Sequence, residues 1–455
     1  RSYRQMLAEK KRLIVGKHLA GNVDNLAHRI KRIASREREG RDITLYALRR
    51  ALVEVMVYFP VYRSYVAGKD IRHEDRAVLE QTIDGAQNAY PELTYELNFV
   101  KDFLLQGDVF AHAEAEERNQ VLRFVMELQQ QTGTLMAKGC EDTVFYTYNR
   151  LISLNEVGDD PEAFGVTRRE FHDFCTKRAR RWPHAMNATA THDSKRGEDA
   201  RMRIHVLSEI PARWKETVRR WMRLNRRKKM TRAGVPMPDA NDEYFLYQTL
   251  IGTFPLNQEE HESWVERIRS YVVKAVREAK VHTAWIKPDT QYEEACMGFV
   301  DQLLRTEPDN RFFDELKEFA RDVSFYGMLN SLSQLLLKIT APGIPDFYQG
   351  TELWQLTLVD PDNRRPVDYD LRRDLLRSVT DDGIGRNGSG PAAFLESWPD
   401  GRVKFLLMFL ALSARRRLRG VFEGGEYVPL RVTGRHANNV IAFARRDGSS
   451  WAVTI

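Results

Sequence analysis

The sequence predicts an α/β fold that carries large helical insertions and runs into a small β-domain. Three observations lead there. An apolar run, Ala185 to Ala190, enters a tight polar cluster, and a helical pattern follows with Ala200, Ile204 and Leu207 at its spacing. A stripe of helical period, Phe325, Met328, Leu329, Leu332, Leu335, Leu336 and Ile339, stops at Pro342-Gly343 and leads into an extended run with a polar tip, Ile344 to Leu353. Short alternating runs begin at Tyr427: Tyr427 to Val432, Val440 to Ala444, and Trp451 to Ile455.

Length and composition bound the answer. At 455 residues the chain exceeds one ordinary domain, and 42% hydrophobic with 29% charged residues is the balance of a soluble globular protein. The net charge of +6 does not indicate a nucleic-acid partner, because 64 acidic residues are interspersed among 70 basic ones. The dense basic runs, Arg226 to Lys229 and Arg415 to Arg417, read as solvated faces. Cys140, Cys175 and Cys296 lie far apart without metal-ligand spacing, so reduced thiols in a cytoplasm are expected, with no metal and no cofactor. No apolar run is long enough to cross a bilayer and no signal peptide opens the chain, so no membrane partner is expected. The chain opens on Arg1 and stops inside an expected strand, so a fragment of a longer protein is expected.

In chain order, residues 1–130 are predicted to be mainly helical. Leu45, Leu48, Leu52, Val55 and Met56 share one face, Pro60 ends that helix, Val61 to Val66 is extended, and Glu114 to Gln131 is helical again. Thr134 to Gly139 reads as a strand and turn. Glu141 and Asp142 then interleave with Phe145, Tyr146 and Tyr148. Carboxylates accept hydrogen bonds from sugar hydroxyls, and aromatic faces stack on a pyranose. The same residues also suit a capped amphipathic segment with its aromatics in the core.

Next come His192 and Asp193, placed at the C-terminal tip of a predicted strand, where α/β barrels carry catalytic groups. Glu198 and Asp199 fall in the first turn of the following helix, at the positive end of its dipole. A helix cap with surface charges is the plain alternative for the His-Asp pair. Residues 206–322 are helical, with Trp264, Ile268, Tyr271, Val272 and Ala275 on one face and a break at Gly234 to Pro238. That length marks an inserted subdomain, since loops between barrel elements are short. Trp285 within it reads either as subdomain core or as a substrate contact. In Asp360 to Asp368, Asp360 and Arg364 flank a Pro-started turn, as a charge-assisted pair, as a fork onto sugar hydroxyls, or as one salt bridge holding a rigid turn. Asp381 to Gly390 is a Gly-rich linker without a phosphate-binding pattern, and a helix follows around Val403 to Ser413.

Several strings carry a resemblance to the maltooligosyltrehalose synthase family of the α-amylase superfamily. They include Pro60-Val-Tyr-Arg-Ser-Tyr65, Lys138-Gly-Cys-Glu-Asp-Thr-Val-Phe-Tyr146, Thr191-His-Asp-Ser-Lys-Arg-Gly-Glu-Asp199, Thr283-Ala-Trp-Ile-Lys-Pro288 with Tyr292-Glu293, and Asp360-Pro-Asp-Asn-Arg-Arg-Pro-Val-Asp368. The resemblance implies a partial (β/α)8 TIM barrel of the α-amylase type with large helical insertions and the start of a C-terminal β-domain. The expected segments are 1–130 helical insertion, 131–205 barrel strands and loops with the His-Asp motif, 206–322 helical insertion, 323–378 last barrel helix and strand with the Asp-Pro-Asp-Asn-Arg loop, and 379–455 linker and truncated β-domain.

The activity it implies is an intramolecular transglycosylation. The reducing-end α-1,4 linkage of a maltooligosaccharide becomes an α,α-1,1 linkage, and the product passes to a maltooligosyltrehalose trehalohydrolase. Asp193 is the implied catalytic carboxylate, as transition-state stabiliser. His192, Lys195, Arg196, Glu141, Asp142, Tyr146, Asp360, Asn363 and Arg364 are the implied substrate contacts. By the same alignment the nucleophile and the acid/base precede Arg1. An α-glucan hydrolase of the same superfamily and an inactive glucan-binding fragment remain as alternatives.

Overall fold

The computed structural model describes residues 2–36, 40–68, 70–106, 114–381 and 391–455; the Gly-rich linker lies outside them beyond Asp381. The chain divides into two compact units, Arg1–Tyr148 with Glu278–Lys280, and Asn149–Arg277 with Val281–Ile455.

The first unit is helical: α1 (Tyr3–His18), α2 (Ala20–Ala34), α3 (Leu45–Tyr58), α4 (His73–Ala89), α5 (Thr94–Leu105) and α6 (Ala115–Met136). Ser2 and Gln5 close a capping box at the start of α1. The apolar face predicted for α3 is its buried face, with Leu48, Leu52, Val55 and Met56 wholly buried. Each such burial is worth about 1.5–3 kcal/mol. Thr134–Met136 is helix, not the expected strand. Val121, Val125, Leu128 and Leu135 recur at helical spacing and are buried, so the apolar residues of that stretch lie on α6's own stripe. Thr134 turns its hydroxyl back to the Gln130 carbonyl (3.3 Å), and a π-helical turn, Ala137–Glu141, follows.

The second unit opens with α7 (Arg168–Arg181), β1 (Met186–Asn187) and α8 (Glu198–Val206), the predicted strand, loop and helix. The insertion holds α9 (Pro211–Asn225), the hairpin β2 (Met230–Arg232) and β3 (Val235–Met237), α10 (Ala240–Thr253), α11 (His261–Ala279) and α12 (Thr290–Leu304). The predicted helix break is therefore a hairpin. Its turn residues, Ala233 and Gly234, both have positive φ (49° and 80°), the twist that suits a two-residue turn. Trp285 is 51% exposed with the Arg277 guanidinium 4.9 Å above its ring, so it is not core.

Helix α13 (Arg311–Thr340) then delivers the chain to β4 (Ile344–Pro345), which pairs in parallel with β1, Met186 opposite Ile344. Among the described residues these two strands pair only with each other. Gly343, at φ +124°, fits because a Cβ there would lie 2.6 Å from the Ala185 carbonyl oxygen. The predicted stripe of α13 is only partly buried: Met328, Leu335 and Ile339 are inside, while Phe325 and Leu329 are exposed. The buried face is turned towards Ser324, Gly327 and Ser331, small residues that let α8 approach closely.

After α14 (Tyr369–Asp381), α15 (Pro391–Glu396), α16 (Arg402–Arg417) and α17 (Arg419–Glu423), three antiparallel strands follow in the order β5 (Glu426–Pro429), β6 (Phe443–Asp447), β7 (Ser450–Thr454). Tyr427 and Phe443 bury one face of this sheet with Cys175 of α7.

Candidate functional site

The loop between β1 and α8 is built from short local bonds at its tip and ion pairs at its base. At the tip, the Thr191 N–H donates to Ser194 Oγ (2.9 Å) and the Asp193 N–H to Thr191 Oγ1 (3.2 Å). These reciprocal side-chain bonds close a turn that presents His192 and Asp193 to solvent. Lys195 and Arg196, two residues on, are buried. The Lys195 N–H reaches both oxygens of Glu156 (2.9 and 3.1 Å), whose carboxylate also accepts from the Val157 N–H. The Arg196 guanidinium faces protein partners, the Ile152 carbonyl (3.0 Å) and the Tyr271 hydroxyl (3.2 Å). Its place is that of a strut under the tip.

At the base, Glu198 and Asp199 are both buried and share one ammonium. Lys404 of α16, fully buried, donates to Glu198 Oε1 (2.8 Å) and Asp199 Oδ2 (2.7 Å). Lys338 of α13 donates to Thr189 Oγ1 (2.7 Å) and lies 3.3 Å from Glu198 Oε2, and Thr189 itself bonds Glu198. Burial pushes the Glu198 carboxyl up, but Lys404 and Lys338 outweigh it and hold the group at about 2. Asp199 is pushed up by burial and by Glu198 beside it. The Lys404 ammonium stays charged, because the two carboxylates more than offset its desolvation.

A second segment, 356–368, closes over this loop. The Gly197 N–H donates to the Thr357 carbonyl (2.8 Å), and Arg196 bridges Leu358. A Cβ on Gly197 would come within 2.4 Å of the Gln355 carbonyl oxygen, so the contact requires glycine. Buried Asn363 donates to the His192 carbonyl (3.1 Å). The predicted pairing of Asp360 with Arg364 does not form. Asp360 binds Lys274 of α11 (3.0 Å), and Arg364 is exposed. The forked carboxylate is Asp362, held by Arg267 at 2.7 and 2.8 Å. The reason is geometric: Pro361 to Arg364 forms a tight turn whose acids face α11.

Glu141, Asp142 and Tyr146 belong to the first unit. Glu141 is buried and accepts the Tyr62 hydroxyl, Asp142 pairs with Lys138 (2.7 Å), and Tyr146 is buried. The second unit thus gathers His192, Asp193, Lys195, Arg196 and Asn363 around one loop, with Asp360 and Arg364 on the segment above it. The sequence does not mark Glu156, Arg267, Lys338 and Lys404 as the residues that hold this loop and the segment above it. Each stands far from the residue it holds, Lys404 by 205 positions, and no spacing pattern marks them. Among the described residues, no helix is long and apolar enough to cross a membrane.

No family model matches the chain. A protein of Mycobacterium tuberculosis named for maltooligosyl trehalose synthase is 38% identical over 329 residues, covering 72% of this chain and 38% of its own length. The solved maltooligosyltrehalose synthase from Arthrobacter ramosus superposes with a TM-score of 0.79 at 31% identity, over 98% of this chain and 51% of that one. A maltooligosyl trehalose synthase structure from Sulfolobus tokodaii gives 0.73 at 29% identity, over 98% and 52%. In sequence and in fold, then, this chain belongs to the maltooligosyltrehalose synthase family, spanning about half the length of its solved members.

Proposed function

We propose that the full-length protein carrying this chain is a maltooligosyltrehalose synthase. It converts the reducing-end α-1,4 linkage of a maltooligosaccharide into an α,α-1,1 linkage by intramolecular transglycosylation with retention. The observation that carries this is the exposed His192-Asp193 tip, locked from below by Glu156 and from above by Asn363. A carboxylate displayed on so constrained a turn is preorganised to meet charge that develops in a transition state.

Retention needs two displacements at the anomeric carbon, by a nucleophile on one face and an acid/base on the other. We assign both groups to the part of the full-length protein outside these 455 residues, and the third carboxylate to Asp193. As the oxocarbenium character grows, Asp193 tightens its bonds to the sugar hydroxyls, with His192 alongside. The released glucose turns and attacks through its anomeric hydroxyl. Asp360, Asn363 and Arg364 border the space that retains it, and Lys195 and Arg196 fix the tip; within the helical unit, taken by itself, Glu141, Asp142 and Tyr146 are assigned as sugar contacts. β1, β4 and the helices around them are then two strands of a (β/α)8 barrel of the α-amylase type, its insertions at 1–130 and 206–322. A cytoplasmic setting, and delivery of the product to a trehalohydrolase, belong to the same proposal.

The test is incubation of the full-length protein with maltopentaose. Loss of reducing ends without free glucose is the expected result. Glucose release in step with new reducing ends makes the protein a hydrolase instead.

A further inference from the structure

A cleft of about 380 Å³ opens between the start of α11 and the segment 349–372, close to the small end of the roughly 300–1,000 Å³ range of small-molecule sites. His192 and Asp193 do not line it. Three guanidinium groups and three carboxylates do, Arg267, Arg365 and Arg372 with Glu260, Asp362 and Asp368, so the walls are polar but carry no net charge.

These groups are unequally committed. Arg267 is spent on Asp362 and the Leu356 carbonyl. Arg372 is spent on Glu352, the Asp368 carbonyl and the Gly350 carbonyl. Among the described residues Arg365 is held through Nε alone, by the Asp362 carbonyl (3.2 Å) and carboxylate (3.1 Å), which leaves its two terminal nitrogens as donors. Asp368 gives Oδ1 to the Leu371 N–H (2.9 Å), leaving Oδ2 as an acceptor. Glu260 ends the short turn before α11, and Ser263 and Arg267 of α11 line the cleft beside it. Trp354 completes the wall, its ring fixed by an indole N–H bond to the Trp398 carbonyl (2.7 Å).

Fixed donors, fixed acceptors and an aromatic wall without net charge suit a neutral polyhydroxy ligand, whereas a phosphate would find Arg267 and Arg372 already paired with Asp362 and Glu352. We infer that this cleft is a second glucose-binding subsite, in which Arg365 and Asp368 take the hydroxyls of an α-glucan unit. The inference rests on the proposed action on maltooligosaccharides and adds a binding position that His192 and Asp193 do not line but that adjoins their loop through Asn363, which lines the cleft and bonds the His192 carbonyl.

The experiment is calorimetric titration of the full-length protein with maltotriose, repeated on Arg365→Ala, Asp368→Asn and Asp193→Asn, with melting temperatures recorded for each. Arg365→Ala and Asp368→Asn are expected to weaken maltotriose binding about tenfold or more with unchanged melting, and inorganic phosphate is expected not to compete. Parental affinity in both cleft variants overturns the inference, as does competition by phosphate or absence of maltotriose binding by the parent. If only Asp193→Asn weakens binding, the cleft is no subsite and the synthase proposal stands. If binding depends on Arg365 and Asp368 but maltopentaose is not rearranged, the subsite stands and the synthase proposal falls.

Discussion

The tip and the base of the β1–α8 loop both lie within Thr191–Asp199 and are held in opposite ways. The tip, Thr191 to Ser194, is closed by bonds between residues two or three positions apart, and His192 and Asp193 face solvent. The base, Glu198 and Asp199, is fully buried and is held by lysines 140 to 206 positions away. The proposed site residues are thus displayed by local geometry, while that geometry is fixed in space by distant charge. The difference predicts that damage at the base unfolds the region, whereas damage at the tip costs chemistry first.

The largest effect is expected from Lys404→Met, which leaves Glu198 and Asp199 buried without their shared ammonium. Removing one partner of a buried ion pair costs about 3–5 kcal/mol. Urea denaturation should show that loss, and Glu198→Gln/Asp199→Asn/Lys404→Met should recover much of it. A single mutant as stable as the parent would mean that the charges are not the anchor. Asp193→Asn comes next and acts on the other quantity. Turnover of maltopentaose should fall about 10²-fold, while stability stays within about 0.5 kcal/mol, as for most exposed substitutions. A large stability loss would erase the contrast between tip and base.

Ser194→Ala removes one bond of the turn and should cost about 1 kcal/mol. Turnover is expected to fall more than substrate affinity, because the tip loosens without losing a contact group; a fall in affinity alone would contradict this. A further effect is one of pH. Burial, aided by Arg201, holds His205 of α8 down at about 4, below its ordinary 6.5. The folded state therefore prefers the neutral ring, and the unfolded chain binds more protons between those values. Stability should be flat above about pH 6.5 and decline as pH falls from there towards 4, and His205→Gln should flatten that slope in urea melts at pH 7 and pH 5.

The same contrast explains what could be read in advance. β1, its loop and α8 are legible because each signal is local: an apolar run, a polar cluster, and carboxylates in a first helical turn. The face of α3 is legible for the same reason. Thr134 to Met136 misleads because three apolar or β-branched residues look extended when separated from the long stripe of α6 that absorbs them. The expected pair of Asp360 and Arg364 fails because proximity in sequence is a poor guide to charge pairing in a tight turn. Lys274 and Arg267, which take the two acids, sit on α11, 86 and 95 positions away. Glu156 is 39 positions from the Lys195 N–H it accepts, and nothing near it announces that role.

Lys404 also sets a timetable. The ribosome adds about 5–20 residues per second, so the 205 positions between Asp199 and Lys404 correspond to about 10–40 s of synthesis. Until Lys338 is made, 140 positions after Glu198, neither carboxylate has a lysine to accompany its burial, and Asp199 waits for Lys404. Water remains the best partner of Asp199 until α16 emerges, which keeps the base of the loop open. The tip can close its turn early, but it acquires a fixed address only when the last third of the chain arrives.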